Sequence, residues 1–209
     1  MLIHHLFFGC RLRIFGGALG FLALHAAGAT AQGQTNTDAI RHIQSIEPHS
    51  GPPGTRVSIH TNNLPLQARV VVGIGATGTG FEELGDASQD EWGEVFASVQ
   101  IPESATWERP LIFIIFDGNF RPTGLSDPFH VTNGQGMVRR EGRITDEDDP
   151  CVVMRDDDDY LYTLTGVSDD VQPGDEVIVV GTYAESSSCS HGNTIEVMEL
   201  KTRLPQPGG

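Results

Sequence analysis

Basic residues are scarce in this chain: across 209 positions, 13 Lys and Arg stand against 28 Asp and Glu, a formal net charge of -15. That shortage argues against nucleic acid or an anionic membrane surface as a partner, because both require a basic footprint. Cations and basic partners stay compatible with it. Helical periodicity is also missing, since no segment carries a 3.6-residue apolar repeat over three turns. Beyond the N-terminal segment, no apolar run approaches the roughly 20 residues that span a bilayer, so no stable membrane span is expected. The longest, "PLIFIIF" (Pro110 to Phe116), is strand-sized. Catalytic signatures are absent too: there is no Gly-x-Ser-x-Gly, no His-Glu-x-x-His, no Walker loop and no dinucleotide turn. The glycines of "GIGATGTG" (Gly73 to Gly80) have no helix or βαβ context after them, and read as a strand end or loop.

What is present begins with a processing signal. Arg11 and Arg13 supply positive charge, Ile14 to Leu24 an apolar stretch, and Ala29 and Ala31 small residues where a signal peptidase reads. Cleavage is expected after Ala31, with delivery to the periplasm or the exterior. A lipoprotein reading of Cys10 fails because the arginines follow it. From Gln32 onward, 11 basic residues face 28 acidic ones, a net charge of -17. Of the three cysteines, Cys10 leaves with the leader, so Cys151 and Cys189 remain in an oxidising compartment. A disulfide is the default pairing. It closes a loop worth about 4 kcal/mol in the chain-entropy model. The rival, a reactive or metal-bound thiol pair, lacks CxxC spacing.

Residues 32–39 are polar and aperiodic, and read as a disordered lead-in. Strand-like runs follow: Arg56 to His60, Ala68 to Ile74, Glu94 to Ile101, Pro110 to Phe116 and Pro128 to Thr132, each bounded by turn formers. Their spacing predicts an antiparallel sandwich over 40–132. Gly75 to Glu94 reads as a long acidic loop that holds at most one helical turn. After a turn-rich linker (133–136), strands at Met137 to Thr145, Cys151 to Arg155, Tyr160 to Gly166, Asp175 to Tyr183 and Thr194 to Leu200 predict a small five-stranded barrel over 137–203. A unit that small gains most from a disulfide. Residues 204–209 read as a frayed tail. The fold class expected is therefore all-β, and the acidity belongs mainly to the barrel.

The opening "IQSIEPHSGPPGTRVSIHTNNL" (Ile43 to Leu64) resembles the start of an IPT/TIG domain, a family with an immunoglobulin-like fold. Pro52 and Pro53 set φ, Gly51 and Gly54 permit turn conformations, and Thr55 opens the next strand. The resemblance implies a binding or spacer module. The second half resembles a bacterial secreted domain of uncharacterised activity, in Cys151, Tyr162 to Gly166, Pro173 to Thr182, Cys189, Gly192 and Thr194 to Val197. Its Gly-Asp-x-Val-x-Val-x-Gly element is similar to one in OB-type barrels, which implies an OB-like fold.

Several polar groups compete for a functional role. His42, His49, His60, His130 and His191 show no i, i+2 or i, i+4 metal spacing and read as strand or loop residues. Trp92 and Trp107 either form an exposed sugar-stacking platform or are buried in the sandwich, the latter being the plainer expectation. Asp156, Asp157, Asp158 and Asp159 offer oxygens for Ca²⁺ only if a tight turn makes three converge. Otherwise they form a solvated hairpin turn. Neither acidic run fits an EF-hand register, and sharing an ion with Asp146 to Asp149 requires bridging about 23 Å at roughly 3.3 Å per residue. Tyr160, Tyr162 and Tyr183 are candidate contacts for an oligosaccharide or peptide on the barrel face, although i, i+2 tyrosines equally suit a core. The chain thus reads as a non-catalytic module protein that binds a protein, peptide or glycan partner or organises the envelope, with no cofactor other than the Ca²⁺ alternative. Less favoured are an acidic Ca²⁺-binding module and an enzyme accessory role.

Overall fold

Runs of Val, Ile and Phe that alternate with polar residues can bury one face of a pleated ribbon, and they pair side by side to do so. The computed structural model describes residues 39–146, 151–168, 170–184, 189 and 192–203. The expected leader and its cleavage site, the lead-in up to Asp38, Glu147 to Asp149, His191 and the tail 204–209 lie outside the described residues. Among the described residues there is no helix. The strands are β1 (Arg41–His42), β2 (Ser45–Glu47), β3 (Ser50–Gly51), β4 (Arg56–Thr61), β5 (Val70–Gly75), β6 (Phe81–Gln89), β7 (Val95–Gln100), β8 (Ile112–Asp117), β9 (Pro122–Leu125), β10 (His130–Val131), β11 (Met137–Ile144), β12 (Val152–Asp156), β13 (Leu161–Thr165), β14 (Glu176–Tyr183) and β15 (Asn193–Thr202).

The first ten strands make a sandwich-like arrangement. One ladder runs β1-β9-β8-β5-β6-β7-β4-β2, and a short parallel pair joins β3 to β10. The ladder turns from one layer to the other along β6, which pairs with β5 through Ala87 and with β7 through Ser88 and Gln89. In β4, Val57 and Ile59 point inward while Arg56 and Ser58 face water. Val70, Val72, Ile74, Phe113, Ile115 and Phe129 meet them in a buried core.

The acidic segment expected to loop is instead mostly the nine-residue strand β6. Gly85, at φ +141°, sits in a bulge: Val72 opposes Gly85 and Gly73 opposes Glu83, which leaves Leu84 as the extra residue. The bulge lets Leu84 and Ala87, three positions apart, both pack on the core. Strict alternation is broken there, so the strand is invisible to a period-2 reading. On its solvent side Asp86 and Glu83 pair with Arg69 at 2.8 and 3.2 Å.

The last five strands close a barrel in the order β11-β12-β13-β15-β14. β11 pairs antiparallel with both β12 and β14, and β13 lies parallel to β15. Val138, Ile144, Met154, Tyr162, Leu164, Val177, Val179 and Ile195 fill it. A disulfide joins Cys151 to Cys189 with Cα atoms 6.2 Å apart, tying the start of β12 to the segment between β14 and β15. For a core this small, a cross-link over 38 residues contributes a large share of stability, up to about 4 kcal/mol.

One turn recurs four times. At Asp90, Asp117, Asn133 and Asp156, the side-chain Oδ1 accepts from the backbone N–H groups two and four residues on, at 2.8 to 3.0 Å. The fourth residue of each turn, Gly93, Phe120, Gly136 or Asp159, has positive φ. This is the three-residue hairpin loop closed by a residue in the left-handed region. One copy, from Asn133 to Met137, connects β10 to β11 and so links sandwich to barrel.

Candidate ligand cleft at the sandwich–barrel junction

The Asn133 turn reverses the chain so that His130, on β10, and Arg140, on β11, face each other although only ten residues separate them. In β11 the inward positions are Val138, Arg140, Gly142 and Ile144, so strand alternation drives a guanidinium into the protein. Arg140 is 1% exposed. A buried cation is tolerated only when its donors are satisfied, and here they are. Nη1 donates to the carbonyls of Trp107 and Arg139 at 2.8 and 2.7 Å. Nε donates to the Tyr162 hydroxyl at 3.2 Å, and Nη2 to that of Tyr183 at 3.2 Å. Nη2 also lies 3.4 Å from His130 Nδ1. The Tyr162 hydroxyl in turn bonds to Asp156, so a carboxylate meets the cation through a phenol.

These contacts set every protonation state at the hub. Burial opposes the Arg140 charge, but the Tyr183 and Tyr162 oxygens outweigh it and the group stays a cation. Burial, then the Arg140 and His49 charges, hold His130 down to about 3, so the imidazole is neutral. Burial likewise pushes the Tyr183 phenol up to about 12 and raises that of Tyr162. It also raises Asp156, against the backbone N–H bonds that favour its charge. With Arg140 Nη2–H and the Tyr183 hydroxyl, 2.7 Å away, both facing Nδ1, that nitrogen is an acceptor and the ring proton sits on Nε2. The Asn193 amide nitrogen is placed 2.8 Å from Nε2; a ring N–H facing an amide N–H₂ would set two donors against each other, so the amide is turned and its oxygen accepts from Nε2–H.

In front of this hub opens a cleft of about 930 Å³, walled by His49, Asp127 and His130 on the sandwich side and by Arg155, Asp159, Tyr160, Tyr183 and Asn193 on the barrel side. Further contacts join sandwich and barrel through Arg109 and Thr77. Arg109 forms a bidentate pair with Asp158, Nε to Oδ2 being 2.8 Å, and donates to the Thr77 carbonyl at 2.9 Å. Thr77 meets the Tyr160 hydroxyl at 3.0 Å. The bond to Asp158 raises the Arg109 pKa further.

Of the three tyrosines singled out by sequence, the structure brings Tyr160 and Tyr183 into the cleft wall, whereas Tyr162 is wholly buried in the barrel. The four aspartates diverge. Asp156 is buried and caps its own turn, Asp157 is exposed, Asp158 turns to Arg109, and Asp159 pairs with Arg155 at 3.0 Å. Among the described residues no group of three or more His, Cys, Asp or Glu side chains is placed to hold a metal ion. The turn is also not uniformly solvated, because its first residue is consumed as a backbone cap. Trp92 departs from the expectation of burial: it stands on the Asp90 turn at 78% exposure, while Trp107 is half-buried beside Arg140. His42 lies 3.5 Å from Asp127, and His60 stacks on Phe96.

Sequence reasoning missed His130, Arg140 and Asn193. For Arg140 the signal was available: within "MVRREGRI" it occupies the same alternate face as Val138 and Ile144, and a charge at an inward position is the informative departure. For His130 and Asn193 nothing local distinguishes them, because their partners come from distant strands. Among the described residues no helix is long and apolar enough to cross a membrane. The chain matches no protein-family model and no curated protein.

Proposed function

We propose that this is a non-catalytic binding protein of an oxidising compartment outside the cytoplasm, whose ligand enters the cleft between sandwich and barrel. The observation that carries the reading is the cleft itself: about 930 Å³, within the roughly 300–1,000 Å³ of small-molecule sites, walled from both modules. Behind it lies a hub of satisfied, rigid hydrogen bonds, a preorganised floor rather than a reactive one. Tyr183 and Tyr162 are kept protonated and His130 is kept neutral, which suits recognition better than proton transfer near pH 7.

The modules fit this assignment. The Pro52 to Thr55 turn, in which Thr55 Oγ1 donates to the Pro52 carbonyl at 2.7 Å, supports the IPT/TIG-like reading of the sandwich. A five-stranded barrel whose first strand pairs with the second and fourth, and whose third and fifth are parallel, supports the OB-like reading. The disulfide agrees with secretion after cleavage at Ala31, which N-terminal sequencing from the native host tests by finding Gln32 first. The function itself is tested by a thermal-shift ligand screen beside a broad hydrolase panel. Ala184 also lines the cleft, and stabilising ligands lost in an Ala184→Trp variant, which fills it, support the reading. Turnover abolished by His130→Gln refutes it.

A further inference from the structure

The cleft has little unmatched positive charge to offer an anionic ligand. Arg155 is paired with Asp159 at 3.0 Å, Asp127 lies 3.5 Å from His42, and His130 is neutral. An ionic ligand needs an opposite charge waiting for it, and the chain's acidic surplus repels polyanions besides. The cleft does offer planar polar groups of both hydrogen-bonding senses. Asn193 is exposed and carries an amide donor and acceptor. Tyr183 and Arg140 occupy Nδ1 of His130, so its Nε2–H is spent on the Asn193 oxygen and holds that amide in place with its N–H₂ donors left for a ligand. Carboxylate oxygens of Asp159 and the guanidinium of Arg155 also line the cleft. Tyr160 and Tyr183 line the same cleft, and an aromatic face matches an apolar ring face on a ligand.

A molecule that combines a flat apolar ring face with a rim of hydroxyls, each both donor and acceptor, satisfies this set. Resting on the binding reading above, we infer that the cleft takes a neutral, hydroxyl-rich ligand: uncharged sugar rings of an oligosaccharide, one stacked on Tyr160 and hydrogen-bonded to the Asn193 amide that His130 holds. The Asn193 amide, oriented by the imidazole, is the specificity element. It presents a donor whose orientation costs nothing to set at binding.

The experiment is a ¹⁵N NMR titration of the purified full chain with three probes. They are a pool of maltotetraose, cellotetraose and chitotetraose in N-acetylated form, then tetragalacturonate, then a neutral tripeptide pool. Expected are saturable shifts at Tyr160, Tyr183 and Asn193 with the neutral sugars, at an affinity at least tenfold above that for tetragalacturonate. Tyr160→Ala and the exposed Asn193→Ala each lower that affinity tenfold or more, and Tyr160→Phe keeps it within twofold. Equal or tighter binding of the acidic sugar or the peptides at the same amides overturns the ligand class while the cleft stands as a binding site. No shift at those amides with any probe overturns both.

Discussion

Replacing Arg140 by Met tests the physical account of the junction. Methionine fills the space of the arginine stem but removes the guanidinium, leaving the hydroxyls of Tyr162 and Tyr183 and the carbonyls of Trp107 and Arg139 without their donors. Each buried group left unpaired costs about 1–3 kcal/mol, and these losses overlap because the groups relax together. Asp156 also loses the cation it reaches through Tyr162. Breaking a buried charged network from one side costs about 3–5 kcal/mol, and we take about 4. With a urea slope of about 2 kcal/mol per molar for a chain of this size, the midpoint falls by about 2 M in equilibrium unfolding followed by tyrosine and tryptophan fluorescence. Arg140→Lys recovers only part, since one ammonium cannot reach four acceptors arranged around a planar fork. Tyr183→Phe adds a coupling test. It removes an acceptor that Arg140 needs in the native protein but is already orphaned in Arg140→Met, so its cost is smaller in the variant background. A loss under about 1 kcal/mol for Arg140→Met, or equal costs of Tyr183→Phe in both backgrounds, would refute the reasoning.

Acid destabilises the protein through His130: its folded pKa, about 3, lies below the ordinary 6.5, so the unfolded chain binds more protons between those values and stability falls with pH across that window. From pH 7.5 to 5 the contribution is about 2 kcal/mol, which urea melts of wild type and His130→Gln isolate as a difference in slope; Asp156, with its raised pKa, acts in the opposite direction. Asp156→Asn keeps the Oδ1 cap that Asn133 already provides in the matching turn and loses the carboxylate's bond to the Tyr162 hydroxyl, about 1 kcal/mol, whereas Asp156→Ala also strands the N–H groups of Asp158 and Tyr160 and costs about 3 kcal/mol, read by the same melts. Replacing Cys151 and Cys189 together by serine lowers stability by up to about 4 kcal/mol, measured against wild type under non-reducing conditions. Because the four aspartates diverge, Ca²⁺ and Mg²⁺ at equal concentration shift the Tm equally; a Ca²⁺-specific rise contradicts the geometry described for Asp156 to Asp159.

The strands that carry strict alternation or dense β-branched residues were legible: β4, β5, β7 and β8 in the sandwich, and all five strands of the barrel. β6 was not, because the bulge at Gly85 breaks the period that a sequence reading counts. The short strands β1, β2, β3 and β9 are held by neighbours rather than by their own pattern. In the site, Tyr160 and Tyr183 were legible as aromatics on barrel strands. Their difference from Tyr162 was not, since i, i+2 spacing is lost where Tyr160 belongs to the turn and Tyr162 to the strand.

Local chemistry, then, determined the elements of this protein: side-chain alternation set strand faces, Asp, Asn and Gly set turns, and Cys151 and Cys189 set one cross-link. The run of four aspartates is largely a consequence of that turn chemistry, one residue capping, one in the left-handed region, one facing outward and one turned to Arg109. Tertiary structure alone decided the site. Whether a buried arginine is satisfied, which tautomer an imidazole holds and whether two modules leave a cleft between them depend on groups brought together from β10, β11, β13, β14 and β15. Sequence distance carries no information about such meetings, because the closing of the barrel and its seating against the sandwich fix them cooperatively.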